Sequence, residues 1–311
     1  MTVNAIPSSF DAVRRQVEAE LARHFHGSGG RESPVRAAMR ESVLSGGKRL
    51  RPVMTAIATR DLGCASPAAI RAGCAVELVH TASLLLDDLP CMDDAATRRG
   101  RPAVHLRFGE DVAILAAIAL LSEAYAMAAS LPGVSGEQTA RLVTSLSVGI
   151  GTKGLVAGQY SDLHNLMSFP DQAAAINDQK TGALFITCLE MAVTLAEADG
   201  GTDAALKAYG REIGRAFQLF DDLLDMEGDP LRMGKGVGQD AAKPTLARSS
   251  SRDVTLDLIR RHVAEARASL GRLPVEARGL QGLTDHIFGP DEPALRGRMS
   301  AAAIMPSLIA R

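Results

Sequence analysis

The chain has 311 residues, 46% of them hydrophobic, and a formal net charge of −2. That length is ample for a large buried core. The near-neutral charge, with no basic face or aromatic-studded basic strand, argues against a nucleic-acid partner. Aromatics make up only 4% of the chain, tryptophan is absent and strand-type alternation is almost missing, whereas helical spacing recurs throughout.

In chain order, the first stretch, MTVNAIPSSFDAVRRQVEAELARHF, is amphipathic, with Val13, Val17 and Leu21 on one helical face. It contains no long apolar segment of the signal-peptide kind. HGSGGRESP (His26 to Pro34) is a breaker, and His24 and His26 are expected in a flexible loop there. SGGKRLRP (Ser45 to Pro52) places Lys48, Arg49 and Arg51 behind Gly46 and Gly47, which allow the backbone close to an anion.

An apolar run then meets a crowd of charge, LLLDDLPCMDD (Leu84 to Asp94). Asp87 and Asp93 are six residues apart, about 120° out of phase on a straight helix. Pro90 has no N–H for the Leu86 carbonyl and its ring clashes with that turn, so the helix must bend or end. The break is expected to bring Asp93 back beside Asp87. His80, seven residues before Asp87, shares its face, as does Ser83 one turn before it, and Ala82 adjoins. TRRGRP follows with Arg98 and Arg99 before a glycine turn.

Helices apolar on most faces are expected over 111–131 and 182–196, buried in a bundle or at a subunit interface. Between them, VAGQYSDL carries Gln159 and Asp162, and QKTG carries Lys180 and Thr181. GRAFQLFDDLLDMEGD repeats the acidic theme. Asp221 and Asp225 lie four apart and so on one face, Asp222 sits beside Asp221, and Gln218 stands three residues earlier. GKGVGQDAAKPT follows as a glycine-rich loop with Lys235 and Lys243. Near the end, Leu256, Ile259, Val263 and Leu270 mark another helix. About ten helices in a single all-α domain with a central cavity are expected, with no linker.

Carboxylates near a core repel one another and lose hydration unless a cation joins them. Oxygen ligands facing across a gap suit Mg²⁺ with phosphate oxygens and retained waters better than zinc or iron. The basic loops after both clusters suit a substrate with highly charged ends, and Arg can fork onto phosphate. No Walker-type phosphate loop is present. The cysteines Cys64, Cys74, Cys91 and Cys188 have no paired spacing, so free thiols in a reducing, cytoplasmic setting are expected. The longest uncharged apolar run, Val112 to Leu121, is ten residues, short for a membrane span.

The two aspartate clusters, DDLPCMDDAATRRGRP and FQLFDDLLD, with GGKRLRP, GLVAGQYSDL, QKTGALF and GKGVGQDAAKPT in order, resemble the trans-isoprenyl diphosphate synthases over roughly residues 35–245. The first cluster looks most like geranylgeranyl diphosphate synthases of the bacterial carotenoid-pathway type. The resemblance implies an all-helical synthase domain across 1–311, usually a homodimer, and three Mg²⁺ ions held by Asp87, Asp93 and Asp221 with Asp88 and Asp225 nearby. It implies that Arg98, Lys180, Thr181, Gln218, Lys235 and Lys243 bind the allylic diphosphate. Gly47, Lys48, Arg51, His80 and Arg99 would bind isopentenyl diphosphate. Small residues at Ala82 and Ser83, where an aromatic would block a growing tail, favour a twenty-carbon product. Gln239 departs from the pattern, standing where many relatives have lysine. The alternatives are a farnesyl diphosphate synthase, a class I terpene cyclase, or a non-catalytic partner subunit. The fully acidic second cluster and the GGKRLRP site weigh against a cyclase, and retention of both clusters weighs against a silent subunit.

Overall fold

The structure, a computed structural model, describes residues 9–26, 32–164, 178–227 and 251–289, with side chains in the third segment described as far as 223. Helix α1 (Phe10–His24) starts where the Ser9 hydroxyl accepts from the Ala12 amide, and α2 (Pro34–Leu44) where Ser33 does the same for Arg36, with proline in the first turn. Then come α3 (Leu50–Asp61) and α4 (Ala68–Asp87), and a minimal antiparallel hairpin of β1 (Thr97–Arg98) and β2 (Arg101–Pro102). Helices α5 (Val104–Phe108), α6 (Glu110–Ala129), α7 (Gly136–Ile150) and α8 (Leu155–Leu163) follow. A π-helical turn (Asp178–Gly182) runs directly into α9 (Ala183–Ala196). The described part closes with α10 (Gly200–Glu227), α11 (Arg252–Leu270) and α12 (Arg278–Phe288).

Layering follows from which faces are apolar. Helix α9 is buried on nearly every side and packs against α3, α4, α7 and α10. Helix α4 packs on α3, α6 and α9, while α11 lies along α10. The expected stripes Val13–Val17–Leu21 and Leu256–Ile259–Val263–Leu270 are all buried, in one hydrophobic cluster that reaches from Val13 to Phe288. All four cysteines are free thiols.

Three sequence expectations need correction. His24 is not in a loop: it is the last residue of α1, and its Nε2 lies 3.0 Å from Glu123 of α6. ADGGTD (Ala198 to Asp203), which reads as a breaker by its glycine pair, is partly helical, because the Asp199 carboxylate accepts from the Thr202 amide at 2.7 Å and starts α10 at Gly200. Among the described residues two helices, α4 and α6, are long and apolar enough by length and composition to cross a membrane, which the ten-residue uncharged run did not anticipate. Helix α4 is mostly buried inside the bundle. In contrast, α6 leaves Ile114, Leu115 and Ile118 exposed on one face.

The crossing of α3 and α4 is tight. A methyl group at Gly73 would lie 2.5 Å from the Pro52 Cα and 2.8 Å from its carbonyl oxygen, both backbone atoms that cannot turn aside. Gly73→Ala is therefore expected to cost about 1–3 kcal/mol of stability, measured by urea denaturation. An unchanged midpoint would show that the two helices separate freely.

Candidate active site

Helix α4 ends at Asp87, as the chemistry of Pro90 requires. The Leu86 carbonyl, denied a proline N–H, accepts instead from Leu89 at 3.1 Å. The chain then folds back. The Asp93 amide donates to the Asp87 carbonyl at 2.9 Å and the Asp94 amide to the Leu89 carbonyl at 3.1 Å. The expected juxtaposition of Asp93 and Asp87 is thus made by backbone hydrogen bonds. Its electrostatic mark is on Asp87: burial, reinforced by Asp93 and Asp88 and opposed by Lys180 and Arg98, pushes its carboxyl up to about 6.

Asp88 is placed differently from its neighbour. It lies about 100° around the helix from Asp87, is buried, and accepts from Arg98 Nε at 2.9 Å and from the Arg98 terminal nitrogen. Arg98 and Asp88 thus satisfy each other on the flank of α4, bordering a cleft shared with Arg99, Ser45 and Thr81.

The second cluster meets the first through the π turn. Lys180 Nζ lies 2.5 Å from Asp162 of α8 and is the strongest cationic influence on Asp87. Thr181 donates its hydroxyl to Gln218 of α10 at 2.8 Å, and Gln218 donates in turn to Asp222 at 2.8 Å. Gln218 thus reaches from α10 to the π turn. The turn is gripped by glycines on both sides. A Cβ at Gly158 of α8 would fall 2.3 Å from the Lys180 amide nitrogen, and one at Gly214 of α10 would fall 3.0 Å from the Gly182 Cα. Arg215 adds a bidentate clamp on Asp178, at 2.7 and 2.6 Å.

The cations converge from three elements. Lys48 Nζ is 3.3 Å from Asp221 and sits over the Phe217 ring. Arg51 lies over the Phe185 ring, and its buried Nε has no hydrogen-bond partner among the described residues. Arg99 donates to Ser45 Oγ at 3.1 Å. Gly47, at φ 147, lets the loop pass beneath Arg99, since a Cβ there would lie 3.2 Å from the Arg99 guanidinium. His80 is held well below the usual imidazole range by burial, with Arg51, Arg99, Arg98 and Arg49 adding to the effect, so it is neutral at physiological pH. Ala82 is buried and the Ser83 hydroxyl donates to the His80 carbonyl at 2.9 Å.

Arg49 is the member of the KRLR run that does not face the site: it is 1% exposed and paired with Glu18 and Glu77. Sequence reading also passed over Asp178, Arg215 and Glu77, whose roles depend on partners at least 28 residues away. Gln159 has neither end of its buried amide paired among the described residues. Glu212, His262 and Glu265 also gather, their ligating atoms within 4.8 Å of one another. With Arg215 on Glu212, that cluster forms a bridge between α10 and α11, about 13 Å along α10 from Asp221. Lys235 and Lys243 lie outside the described residues, as does the side chain of Asp225.

The polyprenyl synthetase family model matches residues 32–247. The chain is 42% identical over 236 residues to the geranylgeranyl diphosphate synthase of Pseudescherichia vulneris, covering 75% of this chain and 76% of that one. It is 36% identical over 266 residues to the farnesyl diphosphate synthase of Bacillus subtilis, covering 83% and 89%. Among solved structures, the geranyltransferase of Helicobacter pylori complexed with magnesium and isoprenyl diphosphate superimposes with a TM-score of 0.80 at 25% identity, over 90% of this chain and 96% of that one. The chain belongs to the polyprenyl synthetase family.

Proposed function

We propose that this protein joins isopentenyl diphosphate to an allylic diphosphate, releasing diphosphate, and that its main product has twenty carbons. The observation that carries the reading is the hydrogen-bonded return of Asp93 to Asp87 near one side of the π turn, with Asp222 and Asp221 on the other and the cations Lys48, Arg98 and Lys180 paired to aspartates around them. The similarity to geranylgeranyl and farnesyl diphosphate synthases supports the same reaction class.

The donor set fits Mg²⁺. Asp87, Asp93 and Asp221 offer hard oxygen donors, Asp87 bears the strain of uncompensated carboxylate charge, and Asp221 already attracts the Lys48 ammonium. Asp87, Asp93 and Asp221 would hold the ions, with Asp88 and Asp225 close by, three ions in all when substrate is bound. Mg²⁺ supplies Lewis-acid neutralisation of the diphosphate leaving group.

The protein's own groups do the rest. Lys180, beside Asp87, and Lys235 and Lys243 bind the allylic diphosphate and stabilise the charge that builds as the C–O bond breaks. Arg98, Thr181 and Gln218 complete that pocket. The Thr181 hydroxyl, which donates to Gln218 and keeps its lone pairs as acceptors, and the Lys180 carbonyl offer oxygen dipoles that stabilise the allylic cation. Apolar walls keep water from it. Gly47, Lys48, Arg51, Arg99 and neutral His80 hold isopentenyl diphosphate, for which Arg51 Nε is an open donor. The released diphosphate takes the final proton, so no side chain is assigned as base. Small Ala82 and Ser83 leave space for the tail below Asp87.

A second copy of the chain would cover the exposed Ile114, Leu115 and Ile118 face of α6. Free thiols and the synthase relatives support a cytoplasmic enzyme serving isoprenoid, including carotenoid, biosynthesis.

Incubating the protein with Mg²⁺, isopentenyl diphosphate and dimethylallyl, geranyl or farnesyl diphosphate is expected to give a C20 diphosphate, resolved by chromatography of the dephosphorylated alcohol. Asp87→Ala and Asp221→Ala are each expected to lower turnover by about 10³-fold or more. Cyclic hydrocarbon, or undiminished turnover in these variants, would sink the assignment. Ala82→Phe is expected to shorten the main product to fifteen carbons, and an unchanged C20 product would place the length limit elsewhere.

In metal-free protein Asp87 also predicts a pH effect on stability. Its folded pKa, about 6, lies above the ordinary 3.8, so the native state holds this proton more tightly. Stability from this group is full below pH 4 and is lost as pH rises through 6. Asp87→Asn is therefore expected to stabilise the chelator-treated protein by about 1–3 kcal/mol at pH 8, with the gain shrinking toward pH 4. Denaturant titrations at the two pH values measure it, and equal or lower stability at pH 8 would contradict the electrostatics.

A further inference from the structure

The run Lys48-Arg49-Leu50-Arg51 presents three cations, and the fold separates them into two kinds. Lys48 and Arg51, three residues apart, reach Asp221 and the Phe185 ring respectively. Arg49 takes the left-handed conformation, φ 50 and ψ 31, at the start of α3 and sends its side chain the other way. There every nitrogen of its guanidinium is occupied. Nε donates to Glu18 of α1 at 2.9 Å, one terminal nitrogen donates to Glu77 of α4 at 2.8 Å, and the other donates to Glu18 at 3.3 Å and to the Val43 carbonyl at the end of α2. One side chain therefore ties the loop at the head of α3 to the three surrounding helices. Four of its five N–H donors are engaged, and its side chain is buried away from solvent.

We infer that Arg49, held by Glu77, is a positioning residue: it locks the Gly46–Arg49 loop so that Lys48 and Arg51 face the diphosphate of isopentenyl diphosphate, which rests on the reading of that site given above. The burial of the pair supports this, since the Arg49 and Glu77 side chains are 0% and 3% exposed. A buried ion pair is weak evidence for stability alone, because apolar replacement of both partners is often neutral. Its geometric yield here is specific, as three positive-φ residues, Gly46, Gly47 and Arg49, make up most of the loop, and Arg49 is the residue in it that reaches three helices at once. Glu77 has a second effect. Burial works against the charges of Arg51 and Arg99, and Glu77 is the strongest influence restoring them in both cases. A single buried carboxylate thus serves three arginines, so the cluster stays assembled before an anionic ligand arrives.

Two variants test this. Arg49→Lys keeps the charge and loses the fork. The double variant Arg49→Met with Glu77→Met removes the pair while filling its volume with apolar atoms. Both are expected to raise the KM for isopentenyl diphosphate about tenfold or more and to leave the KM for geranyl diphosphate within about twofold, with the double variant melting close to the parent. If the double variant is stably folded with an unchanged isopentenyl diphosphate KM, or if both KM values rise together, the positioning role is overturned. Lys48→Ala and Arg51→Ala separate the two levels of the argument. Should they leave that KM untouched, the location of the isopentenyl diphosphate site fails. Should they raise it while the Arg49 variants do not, only the positioning role fails.

Discussion

Like charges held together away from bulk water are the constraint on which the rest of the structure depends. Asp87, Asp93 and Asp88 crowd the end of one helix, and Arg49, Arg51 and Arg99 crowd the start of another. Neither group would form in an unsupported chain, because each loses hydration and gains repulsion. The fold holds them by giving some members a close ion-pair partner and leaving others less fully compensated. Asp88 has Arg98 and Arg49 has Glu77. Asp87 and Arg51 are left with desolvation not fully offset, Asp87 seen in its raised pKa and Arg51 in its unpaired Nε.

This division explains what could be read in advance and what could not. Helix stripes such as Val13–Val17–Leu21 follow from the 3.6-residue period and were legible, as was the return of Asp93, because the effect of proline on a helix is local. Adjacent residues with the same chemistry were not separable. Lys48, Arg49 and Arg51 read alike as cations near glycines, and so do Asp87 and Asp88 as carboxylates. What distinguishes them is a backbone angle at Arg49 and a 100° step around α4 at Asp88, together with partners contributed by distant segments. His24 fails for a similar reason: its partner Glu123 is 99 residues away. Helix α6 was read as an interior or interface helix, and the structure buries one side of it while leaving Ile114, Leu115 and Ile118 exposed.

The π turn shows why the spacing between the acidic clusters is fixed by backbone more than by side-chain packing. Helices α4 and α10 come from distant parts of the chain, and α9 lies between them, packed on both. The turn that opens α9 sends Lys180 toward α8 and Thr181 toward α10, so a small rotation would misplace both. Side chains change rotamer readily, whereas backbone in contact with backbone does not. Gly158 and Gly214 place the turn in direct contact with the main chains on either side, and the Arg215–Asp178 pair closes its remaining freedom. In the proposed reaction two carboxylate clusters would share one leaving group and need a closely held separation, and glycine contacts of this kind supply it without relying on the charged groups themselves. That independence matters for the function proposed above, in which those groups would change partners on binding: Lys48 would leave Asp221 and Lys180 would turn from Asp162, while the glycine contacts beneath them involve no charge.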